Sequence, residues 1–212
     1  MLEKSGVTFQ PLSEQEIYDK IIKQDSSFGA EIISLITSFI NLSKSRGLAA
    51  NGLRKFMEDS ETDDQFVNAR QQLFLDFALP IIDKYDAALS ARGEIDFNDM
   101  INQAANLVRQ KGITKVYDYI IIDEYQDISA ARFKLIMEIR QRSGARLVCV
   151  GDDWQSIYRF TGSDISLFSD FGKFVGKYEK LFIERTYRNS QQLIDISAKF
   201  IQQNPQQLAK NP

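Results

Sequence analysis

Tyr119 to Ser129 reads YIIIDEYQDIS. The apolar run through Ile120, Ile121 and Ile122 drives straight into Asp123 and Glu124, and a third acid follows at Asp127. A short, uninterrupted apolar run is the pattern of a strand buried on both faces, as in a parallel sheet. Residues 117–123 are therefore read as a strand whose carboxyl end is acidic. The same grammar returns in ARLVCVGD at 145–152, followed by Asp153, and EKLFIE at 179–184 reads as a third strand. Helical patterns occupy 129–142, with Ser129 placed to cap the first turn, and 190–203, which stops before Pro205. Strands interleaved with helices predict an α/β chain: a partial parallel sheet with flanking crossover helices.

Upstream of residue 117 the pattern is helical. Ser13-Glu14-Gln15-Glu16 has the form of a capping box ahead of Ile17, Tyr18, Ile21 and Ile22. Residues 26–46 carry a stripe of helical period that stops near Gly47. Residues 62–91 form a long helical pattern, with Pro80 expected to kink or split it. Asp96 is placed to cap a further helix, with Asp99 in its first turn and Gly112 at its end.

Composition narrows the chemistry. The 212 residues contain no histidine and a single cysteine, Cys149. That excludes histidine triads, a zinc cage and an internal disulfide, and it predicts a reducing, cytoplasmic setting with Cys149 as an inert mid-strand thiol. No apolar run approaches the ~20 residues a membrane helix needs, and the opening MLEKSGVTFQP has no signal-like core. Catalysis must come from carboxylates, arginine, lysine, glutamine, hydroxyls and a borrowed metal ion. The net charge of −3 does not announce a nucleic-acid binder, so any DNA contact must be a local groove with aromatic side chains.

In open α/β sheets, ligands sit outside the carboxyl ends of the strands. Carboxylates there suit magnesium, a hard cation that takes oxygen ligands and keeps several waters. One acid can hold the ion against nucleotide phosphates while its neighbour orients or deprotonates the attacking water, as in a Walker-B strand ending in Asp-Glu. The bland alternative is a core strand with a solvated acidic end.

Longer strings are more specific. DEYQD at 123–127 is followed by GDDWQSIYRFTGSD at 151–164 and ERTYRNS at 184–190. In this order and spacing the three blocks resemble motifs II, III and IV of the UvrD/Rep-type superfamily 1 DNA helicases, and most resemble the helicase IV branch. DFNDM at 96–100 is similar to a short acidic-aromatic motif those enzymes carry earlier. The resemblance implies a RecA-like, P-loop NTPase half at 94–212 and a helical 1B-like subdomain at 1–93. It implies ATP and Mg2+ as cofactors, single-stranded or partly duplex DNA as partner, and translocation 3′ to 5′. By resemblance, Asp123 holds the magnesium, Glu124 activates the hydrolytic water, Gln155 reports the γ-phosphate, and Arg188 reaches it from the other side. Tyr158, Arg159 and Phe160 meet single-stranded DNA, where stacking on an aromatic contributes ~1–3 kcal/mol per base without sequence preference. Trp154 is read as packing against the neighbouring strand and Arg185 as structural.

Two features depart from the pattern. Thr161 stands where many relatives carry arginine, and Ser163 where alanine is common. No G-x-x-x-x-G-K-[ST] occurs among the 212 residues, and the later family motifs are absent. The chain is therefore expected to be an excised middle portion of a longer helicase, needing a P-loop and a second motor domain from the same polypeptide and inactive alone. A competing expectation is a P-loop-less, helicase-derived module that only binds single-stranded DNA or a protein partner, or an inactive scaffold in a repair complex.

Overall fold

A computed structural model describes residues 26–59, 62–183 and 188–203. The capping box expected at Ser13–Glu16 lies outside them. The chain divides into two compact units, Met1–Ile40 and Asn41–Pro212. In the first unit the described residues are the opening turns of helix α1 (Ser26–Ser45), with Ile36 and Ile40 buried one turn apart.

The second unit begins with the end of α1, which gives way to Gly47 in the left-handed region (φ 72°). A short helix that the sequence pattern did not announce, α2 (Ala50–Glu58), follows. Helix α3 (Gln65–Arg92) starts where the Asp64 carboxylate accepts the backbone N–H groups of Phe66 and Val67. It ends at Gly93, with Glu94 N–H donating back to Leu89 O. The expected split at Pro80 does not occur. A proline inside a helix costs ~3 kcal/mol. Leu75, Leu79 and Ile82 are buried on one stripe beside it, and burying each contributes about 1.5–3 kcal/mol, which outweighs that cost.

Helix α4 (Phe97–Lys111) is capped as anticipated, the Asp96 carboxylate accepting Asp99 N–H at 2.8 Å, and it stops at Gly112. It packs along α5 (Ala130–Ser143), whose cap is Ser129. Helix α5 is the crossover between strands β1 (Tyr119–Ile122) and β2 (Arg146–Cys149), which pair in parallel with Ile121 opposite Val148 and Ile122 opposite Cys149. The parallel β–α–β core is thus as the sequence pattern predicts.

Two expectations about the sheet need correction. It has two strands among the described residues, not three. Residues 179–183 are irregular, with Leu181 89% exposed, and residue 184 lies outside the described region. An apolar run becomes a strand only when a neighbouring ladder satisfies its backbone, and this one has none among the described residues. Nor are β1 and β2 buried on both faces. Ile122 and Cys149 pack on a cluster of Tyr125, Ile128 and Leu167, joined by Phe133, Phe168 and Phe171. The opposite face, Tyr119, Ile121 and Val148, is open, with Ile121 72% exposed.

Past β2 come two short helices, α6 (Ser166–Ser169) and α7 (Phe171–Val175), and later α8 (Gln191–Ile201). A charged knot ties α1, α3 and α4 together. The Lys44 ammonium, 8% exposed, lies 2.7 Å from Asp86 and 2.8 Å from both Asp96 and Asp99, and Tyr85 O–H donates to Asp96 at 3.2 Å. Burial works against the charge on Lys44, but the three carboxylates outweigh it and hold the ammonium above the usual lysine range. The knot crosses residue 93, so the segments on either side of that residue share one compact unit.

Candidate functional site

The end of β1 is locked to the end of β2 by two backbone bonds, Val150 N–H to Ile122 O (2.8 Å) and Tyr125 N–H to Val150 O (2.9 Å). Between them the chain must turn sharply, and the turn falls on Glu124, at φ 50° and ψ 42°. Among the described residues it is the one non-glycine residue with positive φ. A left-handed conformation costs an L-residue roughly 1–2 kcal/mol. Such strain persists only where surrounding contacts over-determine it, and it clusters at functional sites.

The contacts are specific. Glu124 N–H donates to the Asp123 carboxylate at 2.9 Å, and the Gln126 side-chain amide donates to the Glu124 carboxylate at 2.7 Å. The following 3-10 turn, Tyr125–Asp127, is anchored by the Tyr125 ring, edge-on to Phe171 with centroids 5.5 Å apart. Burial pushes the Tyr125 phenol well above its ordinary range, with Cys149 adding to the effect. Asp127 is half-buried, and burial, then the charge of Glu124, raises its carboxyl above the usual range. Asp123 and Glu124 themselves are exposed at the strand tip.

The tip of β2 is joined to this turn through Gln126, which is 1% exposed. Its amide oxygen accepts Asp152 N–H at 3.0 Å. The Asp152 carboxylate then accepts Trp154 N–H at 3.1 Å on one oxygen and the Gln155 side-chain amide at 2.8 Å on the other. Asp123, Glu124 and Gln155 are thereby brought into one hydrogen-bonded chain running through Gln126 and Asp152. Trp154 is half-buried within the 3-10 turn Asp153–Gln155. Arg188 stands on a separate element, the exposed approach to α8, and Arg185 falls outside the described residues.

Tyr158, Arg159 and Phe160 lie on an exposed turn (Arg159–Thr161 is 3-10), with the two rings 6.1 Å apart and tilted by 45°. Phe160 is 75% exposed, so it is a surface ring and not a core side chain. Thr161 closes the turn, its hydroxyl donating to Tyr158 O at 2.7 Å. The next two residues pin the turn in place. Gly162 (φ 96°) backs onto Ser45, so closely that a Cβ there would sit 2.8 Å from the Ser45 Cβ. Ser163 bridges to Ser129, and Asp164 N–H donates to Ile128 O at 2.9 Å. The aromatic turn is therefore fastened directly to the segment that follows the acidic turn.

Gln126 and Ser45 are not singled out by the sequence, and Asp152 only as part of the acidic end of β2. Gln126 had one available signal, an amide within a run of acids, where a neutral donor is the natural partner for a carboxylate. Cys149, expected mid-strand, closes β2 and is half-buried; burial pushes its thiol up to about 12, against the opposing charge of Arg140. Among the described residues no group of three or more His, Cys, Asp or Glu could hold a metal ion by itself. Two adjacent acids fit magnesium, which takes one or two carboxylates and completes its shell with water and phosphate.

The family described as the UvrD/REP helicase N-terminal domain matches residues 3–176. DNA helicase IV of Escherichia coli (strain K12) is 38% identical over 132 residues, 62% of this chain and 19% of the relative. The putative ATP-dependent DNA helicase YjcD of Bacillus subtilis (strain 168) is 30% identical over 61% of this chain and 18% of its own length. The ATP-dependent DNA helicase PcrA of the same organism is 30% identical over 60% of this chain and 18% of its own. The chain spans about a fifth of the length of the curated relatives it matches. Among the described residues, no helix is long and apolar enough to cross a membrane. With residues 3–176 matched, the chain belongs to the UvrD/REP helicase N-terminal domain family.

Proposed function

We propose that this chain is part of an ATP-dependent DNA helicase and carries the acidic half of its nucleotide site together with a DNA-facing aromatic turn. The observation that supports this best is the strained Glu124 at a strand tip, hydrogen-bonded to Asp123 and linked through Gln126 and Asp152 to Gln155. Glu124 is the base that orients and deprotonates the attacking water. Asp123 is the carboxylate that holds magnesium, usually through water. When bound with nucleotide, that ion supplies neutralisation of phosphate charge. Gln155 donates its amide to the γ-phosphate, and Arg188, always charged, reaches the same group.

Tyr158 and Phe160 offer two faces on which bases of a single strand stack, with Arg159 beside them for the backbone. The family resemblance supports movement 3′ to 5′ with unwinding of duplex DNA, and the single cysteine supports a cytoplasmic setting. By resemblance, 1–93 correspond to the 1B-like subdomain and 94–212 to the partial RecA-like motor domain, although residues on both sides of 93 share one compact unit. The 212 residues carry no G-x-x-x-x-G-K-[ST], so turnover is expected to need that loop and the second motor domain from the same polypeptide. The test is Glu124→Gln in a polypeptide that also carries the P-loop. ATP turnover should fall to background while ATP binding survives, and turnover at the wild-type rate would reject the assignment.

A further inference from the structure

We propose that Gln126 is the positioning residue of this site, setting the carboxylate of Glu124 and, through Asp152, the amide of Gln155. The inference rests on the nucleotide-site reading above for its consequence, but not for its geometry. Gln126 is among the most buried side chains of the protein, and both ends of its amide are used. Its amide orientation is fixed by partners of opposite kind. Asp152 N–H can only donate, so it requires the oxygen; the Glu124 carboxylate can only accept, so it requires the nitrogen.

A glutamine that served packing alone would have no reason to spend its donor on an exposed carboxylate. Here that bond aims the Glu124 carboxylate, while the backbone turn beneath it is enclosed by the two bonds to Val150. The other bond fixes Asp152, whose two oxygens in turn orient Trp154 N–H and the Gln155 amide. One buried amide thus sets both the water-activating acid and the phosphate-sensing amide. No proton or bond is transferred through it, so it is not a catalytic residue.

Two variants separate the halves. Gln126→Met keeps the length and removes both bonds. Gln126→Glu keeps an acceptor for Asp152 N–H and, read at a pH high enough to ionise the introduced carboxyl, removes the donor to Glu124. In the 212-residue chain, amide hydrogen exchange followed by NMR should show Asp152 protection lost in Gln126→Met and kept in Gln126→Glu. In the same chain, Glu124→Ala should speed exchange of the Gln126 side-chain amide protons. In a P-loop-bearing polypeptide, both Gln126 variants should lower kcat by roughly 10- to 100-fold with KM for ATP little changed, since a misplacement of ~1 Å costs about that much. Intact Asp152 protection in Gln126→Met, or an unmoved Gln126 amide in Glu124→Ala, overturns the proposal. So does wild-type kcat in Gln126→Glu. If the unsubstituted polypeptide turns over no ATP, the function assigned above fails, while the two exchange measurements still decide whether Gln126 positions the acid. Should Gln126→Met fail to fold, Gln126→Glu and Glu124→Ala carry the test.

Discussion

Replacing Gly162 by alanine probes how firmly the aromatic turn is fastened. Two costs add. The residue sits at φ 96°, where an L side chain pays roughly 1–2 kcal/mol. Its new Cβ would meet Ser45, with the Ser45 Cβ at 2.8 Å and the Ser45 hydroxyl closer still. That hydroxyl cannot swing away freely, because it donates to Leu42 O at 2.8 Å. Overpacking of this kind costs about 1–3 kcal/mol, so Gly162→Ala should destabilise by roughly 2–5 kcal/mol. Against a total of about 5–15 kcal/mol for a typical domain, that is a large loss. Urea unfolding of the 212-residue chain, followed by circular dichroism, measures it as a lower midpoint at unchanged slope. Adding Ser45→Gly removes the clash and leaves the backbone strain. The double variant should recover the steric share, about 1–3 kcal/mol by the same overpacking scale, beyond the sum of the single effects. A Gly162→Ala protein within ~0.5 kcal/mol of the parent would mean that the turn does not rest on α1, and the reasoning fails.

Lys44→Met should cost about 3 kcal/mol in the same unfolding assay, the low end for breaking a buried ion cluster, because Asp86 remains half-exposed. The pH dependence has a defined sign. Burial opposes ionisation of Asp96, but Lys44 and neighbouring donors outweigh it and hold the carboxyl below its ordinary 3.8, so its stabilisation is present above that pH and lost as pH falls through the folded value. Lys44 itself is held above 10.5, so its contribution is full below that pH and lost on further alkalinisation; Lys44→Met should flatten both limbs. Phe160→Ala should weaken binding of a fluorescent oligothymidine by about 5- to 150-fold, the equivalent of ~1–3 kcal/mol, while leaving the unfolding midpoint unmoved, since the ring is on the surface. Loss of stability with unchanged DNA affinity would assign that ring to packing.

What could be read from the sequence was what local chemistry decides. Asp96 and Ser129 cap helices because a carboxylate or hydroxyl one residue ahead of a periodic run has an unpaired N–H within reach. The acidic ends of β1 and β2 were legible for a similar reason, since the change from apolar to charged marks the strand end. The third apolar run looked the same on paper and is not a strand, because strand formation depends on a ladder partner that no local pattern encodes. Pro80, read as kinking or splitting the helix, does not split it: its local cost is real, and the buried stripe of α3 exceeds it.

The site followed the same division. Asp123, Glu124, Gln155 and Phe160 were legible as members of separate blocks, but not the residues that make the blocks one structure. Gly151 shows why. A Cβ at that position would lie 2.6 Å from the Gln126 side-chain oxygen and 2.9 Å from Phe168. The glycine that opens GDDWQ is therefore required by the glutamine inside DEYQD, because Gln126 can reach Asp152 N–H only if nothing projects from residue 151. The same logic holds at Gly162 and Ser45. In each case the bare position lets a distant block come close enough to hydrogen-bond or pack, and the geometry of the acid at the strand tip depends on it. On the proposed reading, any coupling between Gln155 and Phe160 needs more than their five-residue separation. It needs the acidic turn and the aromatic turn to be held on one frame, and Gln126, Gly151, Ser163 and Gly162 are the residues that hold them there.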